Sequence, residues 1–243
     1  MHSFNELKKF NPSRLNRSSS ICIIGKRGSG RTTKIKSLIS QIKRSFDQCF
    51  LYSMCDYTKH EYCDTLDNKM ILVASDSNAN AQEVAYLHIE ALINQIEERS
   101  RSGRKIVKKT LLIFDGFFSG SSFNKVPVLK KLFLSSRRLN ITIISSIDRF
   151  FQLPPCIRSS VDYLMFVGTM NHQEVHNICN HIEPIHSKNY FEELMCECSL
   201  KWSGLIVSQR EKQRFYRHVD VFTNTNSKIY KNQAFDDVSF EFC

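Results

Sequence analysis

The octet Gly25-Lys26-Arg27-Gly28-Ser29-Gly30-Arg31-Thr32 constrains the fold more than any other stretch of the chain. Only 8 glycines occur in 243 residues, and three of them fall within these six positions, 25 to 30. Just before them, Ile21-Cys22-Ile23-Ile24 is a short β-branched run of the kind that forms a strand buried on both faces. Just after them, Ile35, Leu38, Ile39, Ile42 and Phe46 recur at helical spacing and make one apolar face. Strand, glycine loop and helix together satisfy the P-loop spacing G-x-x-x-x-G-[K/R]-[S/T] in the context its chemistry requires. Glycines let the backbone double back with its N–H groups turned inward, and the helix end adds partial positive charge, so the loop cradles phosphate oxygens. The expected ligand is therefore a nucleoside triphosphate, held by Gly25, Gly28, Ser29, Gly30, Arg31, Thr32 and Thr33. The hydroxyl of Thr32 is the expected Mg²⁺ ligand from the loop. Arg31 stands where the usual loop carries lysine, which exchanges a compact ammonium for a planar fork and alters how the β- and γ-phosphates are held.

A second P-loop component is an apolar strand ending in an acid that holds the Mg²⁺ shell, and Leu111-Leu112-Ile113-Phe114-Asp115 supplies it. Asp115 is thus the second metal candidate. The next position, where a second acid ordinarily polarises the attacking water, is Gly116, followed by Phe117 and Phe118. Loss of a positioned general base typically costs ~10² to 10⁴ in rate, so slow hydrolysis is expected. Restoring both positions, with Arg31→Lys and Gly116→Glu together, is expected to raise it.

The remaining pattern alternates strands with helices: strands near 49–53, 71–74, 111–114, 141–144 and 163–167, and helices near 82–99 and 126–138. Such alternation implies an α/β fold with a mostly parallel central sheet covered by helices on both faces. Helices near 172–182 and 188–198 and strands near 204–208 and 214–219 follow. The expected organisation is a basic N-terminal arm over 1–20, one P-loop NTPase domain over 21–222 and a polar tail over 223–243. A hydrophobic content of 42% suffices for one sizeable core. No stretch approaches the ~20 apolar residues that cross a bilayer, and the N-terminus has no apolar run after its charges, so an unprocessed intracellular protein is expected.

Nine cysteines without a repeating pattern, several of them (Cys22, Cys49, Cys156) in or beside buried-looking runs, read as reduced thiols. A net charge of +10 favours a polyanionic partner such as nucleic acid, and the basic segment 99–109 either touches phosphates or is a solvated linker. His172, His176, Cys179, His181 and His186, with Cys196 and Cys198, match no closed zinc spacing. Ser145-Ser146 and Ser159-Ser160 lack the setting of a catalytic nucleophile.

Three blocks, IIGKRGSGRTT, LLIFDG and RRLNITIISSIDRFFQLPPCIRSSVDYLMF, together resemble the poxvirus-type genome-packaging ATPases of large nucleocytoplasmic DNA viruses, a branch of the FtsK/HerA superfamily. The resemblance spans roughly residues 18–220, and the third block is its most specific part. It implies a RecA-like three-layer sandwich that assembles into a homo-oligomeric ring, binds ATP and Mg²⁺ between subunits and moves double-stranded DNA into a capsid. Capsid or portal-vertex proteins are then implied partners, and host cytoplasm or virion the implied location. In that family the third block ends its strand in a glutamine that senses the γ-phosphate; here the position holds Asp148. Leu153-Pro154 and Ile157-Arg158 match the segment that follows, and Arg137 matches ahead of Asn140-Ile141. The resemblance makes Arg137 and Arg158 candidates for phosphate or inter-subunit contacts. Arg31, Gly116 and Asp148 all depart at catalytic positions, which keeps a nucleotide-binding or structural paralogue without turnover open as the alternative. A small-molecule kinase shares the loop but predicts an arginine-rich lid that the sequence lacks.

Overall fold

Short β-branched runs become strands and the apolar-periodic stretches become the helices that cover them. The strands are β1 (Ser20–Ile24), β2 (Gln48–Ser53), β3 (Ile71–Val73), β4 (Thr110–Asp115), β5 (Ile141–Ile147), β6 (Tyr163–Val167), β7 (Gly204–Ser208) and β8 (Arg214–His218). The helices are α1 (Arg31–Ile42), α2 (Thr58–Tyr62), α3 (Ala81–Arg101), α4 (Pro127–Ser135), α5 (Pro155–Arg158), α6 (His172–Cys179) and α7 (Lys188–Leu200). This computed structural model describes residues 6–16, 18–55, 57–67, 71–73, 81–102, 108–118, 126–182, 187–200, 203–210 and 214–220.

All eight strands form one sheet in the order β3-β2-β4-β5-β1-β6-β7-β8. Every pairing from β3 through to β6 is parallel, and β7 and β8 extend the edge beyond β6 by antiparallel pairing. Side chains alternate across this sheet, as the period of two demands. Cys22, Ile24, Leu112, Phe114, Leu164 and Phe166 face one buried layer with α3, α4, α6 and α7. Ile21, Ile23, Leu111, Ile113, Met165 and Val167 face the opposite layer with α1 and Tyr62 of α2. The fold is therefore the expected α/β three-layer sandwich. Its topology inserts β5 between β1, which leads into the glycine loop, and β4, which ends in Asp115.

Three local readings are corrected. The described part of the N-terminal arm belongs to the core: Phe10 and Leu15 are buried, and Phe10 lies edge-on to Tyr163 at 5.1 Å. Backbone bonds from Phe10 N to Arg217 O (2.9 Å) and from Arg217 N to Lys8 O (3.1 Å) tie this segment to β8. Leu7 is buried as well, and three apolar residues scattered among polar and basic ones make too short a pattern to mark a core element. β5 continues past Ile144 to Ile147, because the Ser145 and Ser146 hydroxyls find partners inside the sheet, Ile21 O and Asp115 Oδ1. Cys156 sits exposed on α5, with Pro155 in the helix's first turn. Among the described residues eight cysteines are free thiols. The tail 223–243 and most of the basic segment after α3 lie outside the described residues.

Candidate functional site

The glycine loop joins β1 to α1 at the carboxyl edge of the parallel strands. Its first residue is anchored: Gly25 N donates to Ile147 O, at the end of β5, at 3.1 Å. Gly28 and Gly30 have φ of 81° and 87°, a left-handed backbone that favours glycine. Gly25 is needed for a different reason, since a Cβ there would lie 2.5 Å from both Ser29 Oγ and Val167 O. Gly30 also caps α1 without a side chain, so no side-chain acceptor occupies the helix's first N–H groups. Among the described residues nothing partners the buried Ser29 Oγ. An uncapped helix start and an orphaned hydroxyl beside it fit a phosphate chain.

Asp115 ends β4, is 8% exposed, and touches the helix the loop opens into through Thr32. Thr32 Oγ1 donates to Asp115 Oδ2 at 2.8 Å, and Tyr62 Oη donates to the same oxygen at 2.9 Å. Ser146 Oγ donates to Oδ1 at 2.9 Å while accepting from Gly116 N at 2.9 Å, which fixes the direction of its proton. The carboxylate is thus held by hydroxyls from α1, α2 and β5, an oxygen-rich arrangement suited to a hard divalent cation bound by Thr32 and Asp115. Burial, then the Asp115 charge, drive the Tyr62 phenol well above its ordinary pKa, so it remains a donor.

Gly116 adopts φ 59°, which explains glycine there better than the loss of an acid does. A carboxylate still lies within electrostatic reach, from an element the sequence pattern did not single out. Glu61, beside Tyr62 on α2, has its pKa raised by burial first and by the Asp115 charge second, with Lys36 opposing. Its helix reaches Asp115 because Ser53 at the end of β2 is in register with Asp115.

The other two departures meet each other. Arg31 Nη1 lies 2.6 Å from Asp148 Oδ1, with the Arg31 side chain 15% exposed and that of Asp148 53% exposed. Next to this pair, Lys26, Asp148, Phe150, Phe151, Met170 and Asn177 are among the residues lining a cleft of about 230 Å³. Arg158 stacks over Phe150 and Phe151, 5.1 Å from each ring centre, and so stands behind the cleft wall. Arg137 is not brought to the loop. It pairs with Asp162, which precedes β6 at the opposite edge of the sheet and also binds Arg210 Nε (2.6 Å) and Ser20 N (2.8 Å). The described histidines form no metal site: no grouping of three or more His, Cys, Asp or Glu that could hold an ion occurs among the described residues. Among them, too, no helix is long and apolar enough to cross a membrane.

Fold and loop define the class, an α/β protein of the P-loop type. Within that class the chain belongs to the Poxvirus A32 protein family, which it matches over residues 7–199. Comparison with curated protein sequences returns no match. Among solved structures it is similar to the DNA-packaging ATPase B204 of Sulfolobus turreted icosahedral virus. That likeness has 19% identity and a TM-score of 0.58, and covers 85% of this chain and 100% of the other. The genome packaging NTPase B204 of Sulfolobus turreted icosahedral virus 2, solved with ATP-gammaS, has 16% identity and a TM-score of 0.59 over 88% of this chain and 100% of its own. The cytoplasmic domain of the Thermomonospora curvata type VII secretion ATPase EccC has 11% identity and a TM-score of 0.56, over 84% of this chain and 25% of that one.

Proposed function

We propose that this chain is a genome-packaging ATPase that binds ATP·Mg²⁺ at the glycine loop, hydrolyses it and moves double-stranded DNA as a homo-oligomeric ring. The observation that carries the reading is the 2.8 Å contact between Thr32 and Asp115, which joins the loop's metal hydroxyl to the acid at the end of β4. Membership of the Poxvirus A32 protein family and likeness to structures named as DNA-packaging ATPases support it. A net charge of +10 suits a polyanionic track.

In this reading the loop N–H groups and Arg31 hold the phosphates, and Thr32 and Asp115 would hold Mg²⁺, which would supply charge neutralisation at the phosphate oxygens. Water oxygen bonds to the γ-phosphorus as the bond to the β–γ bridging oxygen breaks, giving ADP and phosphate. Glu61 is the carboxylate assigned to take the water proton, in place of the acid absent at Gly116. Arg158, behind the cleft wall, is better placed than Arg137 to meet a nucleotide. Ring assembly, and capsid or portal-vertex contacts in host cytoplasm or virion, follow from the same reading.

The test is phosphate release by the purified chain with and without duplex DNA, beside calorimetric nucleotide binding. DNA-stimulated release is expected; binding with no release under either condition would leave a nucleotide-binding paralogue instead.

A further inference from the structure

The sequence departs from the usual P-loop pattern at Arg31 and from its family's glutamine at Asp148, and the fold sets these two substitutions against each other. Both backbones are fixed. Arg31 opens α1, and Asp148 follows Ile147, whose carbonyl anchors Gly25. The side chain of Gln152 accepts from Asp148 N at 3.0 Å and from Arg149 N at 3.3 Å, so the carboxylate is presented from a locked turn. Of the pair, the Arg31 side chain is the less exposed member and that of Asp148 the half-exposed one. The carboxylate therefore holds the cation that the loop would otherwise turn fully toward phosphate.

We propose that Asp148 is a positioning residue that competes with the triphosphate for Arg31, so that the loop binds ATP more weakly than its own N–H groups and cation allow. The inference rests on reading the loop as the nucleotide site. A lysine with a neutral sensor leaves one net positive charge at the β- and γ-phosphates; Arg31 with Asp148 leaves none. Arginine suits this arrangement because its planar fork can keep one N–H on the carboxylate and offer others to phosphate, whereas an ammonium offers no such fixed division. The effect falls chiefly on nucleotides that carry a γ-phosphate, because the residue at position 31 reaches the β- and γ-oxygens. Removing one negative charge beside the phosphates is expected to tighten binding about tenfold, the scale of a unit charge a few ångströms away at partly exposed dielectric.

The experiment is calorimetric binding of Mg·AMPPCP and Mg·ADP to the full chain, as wild type, Asp148→Asn, Asp148→Glu, Arg31→Lys and the double variant Arg31→Lys/Asp148→Asn. Asp148→Asn should tighten AMPPCP about tenfold and ADP by less than about threefold. Asp148→Glu, which keeps the charge, should stay near wild type, and thermal unfolding confirms that each variant is folded. The effect of Arg31→Lys should differ between the wild-type and Asp148→Asn backgrounds, the signature of a direct coupling. Unchanged or weaker AMPPCP binding by Asp148→Asn, with wild type binding normally, overturns the competition while leaving the nucleotide site intact. Binding by neither wild type nor Asp148→Asn overturns the nucleotide reading and this inference with it; binding by Asp148→Asn alone supports both.

Discussion

Substituting Gly25 by alanine isolates the contact that closes the phosphate loop. The added Cβ would lie 2.5 Å from Val167 O, 2.5 Å from Ser29 Oγ and 2.7 Å from Val167 Cγ2. Ser29 can rotate away. Val167 cannot, because β6 is clamped between β1 and β7 and Val167 is in register with Gly204. The loop must retreat, straining the 3.1 Å bond from Gly25 N to Ile147 O. Overpacking against fixed backbone costs about 1–3 kcal/mol and a weakened hydrogen bond about 1 kcal/mol more, so the sum is about 2–4 kcal/mol. At a urea slope of about 2–3 kcal/mol/M the unfolding midpoint should fall by about 1 M. Gly28→Ala is the control: its φ of 81° is strained for alanine, but nothing lies within 4 Å of the new Cβ. That variant should lose only about 1–2 kcal/mol, about half as much. Urea unfolding followed by circular dichroism, with AMPPCP binding measured on each variant, reads both effects. A Gly25→Ala midpoint within about 0.2 M of wild type would refute the packing argument, and intact binding in that variant would refute the cradle.

The other expectations concern the residues around Asp115. Glu61→Gln should raise stability at pH 7 without nucleotide and abolish most phosphate release while leaving binding intact. The folded chain holds the Glu61 proton to higher pH than the unfolded chain does, so this group's stability contribution is full below the ordinary carboxylate range and is lost as pH rises through the raised folded value. The stabilisation by glutamine should therefore vanish at low pH, where both states are protonated; thermal melts across pH check it. Ser146→Ala should cost more than Tyr62→Phe, about 2–3 against about 1–2 kcal/mol in urea titrations, because it strips a partner from both Gly116 N and Asp115 while Tyr62→Phe removes its own hydroxyl with the bond. Arg137→Ala should leave calorimetric nucleotide binding unchanged and cost about 1 kcal/mol, since Asp162 keeps Arg210 and Ser20 N.

What the sequence could and could not reveal follows the range of each signal. The strand, loop and helix around Gly25 to Thr32 are contiguous, and Asp115 closes an apolar run, so both were legible from local pattern. Ser146 was not, because a serine in a buried strand carries no mark of its partner, which lies on the next strand. Tyr62 and Glu61 belong to a five-residue helix too short to show a period. The sequence marked Arg31 and Asp148 as departures, but their pairing depends on β5 lying beside β1, a fact of topology and not of spacing. Arg137 was legible only as a match to a family block, and the sheet places it at the wrong edge for phosphate contact in its own subunit.

That topology also revises how the site should respond to restoring the usual residues. From sequence, Arg31→Lys with Gly116→Glu was expected to raise hydrolysis. At φ 59° a glutamate costs about 1–2 kcal/mol in backbone strain, and its charge would join those of Asp115 and Glu61. Lysine at 31 would give up the fork while the Asp148 carboxylate stayed beside it. The double variant is now expected to melt below wild type and to release phosphate no faster, whereas Arg31→Lys with Asp148→Gln, which removes the competing charge and leaves Gly116 alone, should bind AMPPCP more tightly than wild type. Parallel melting, calorimetry and phosphate-release assays distinguish the two. Faster release by the Arg31→Lys/Gly116→Glu variant would mean that the acid missing after Asp115, and not the pairing of Arg31 with Asp148, limits this site.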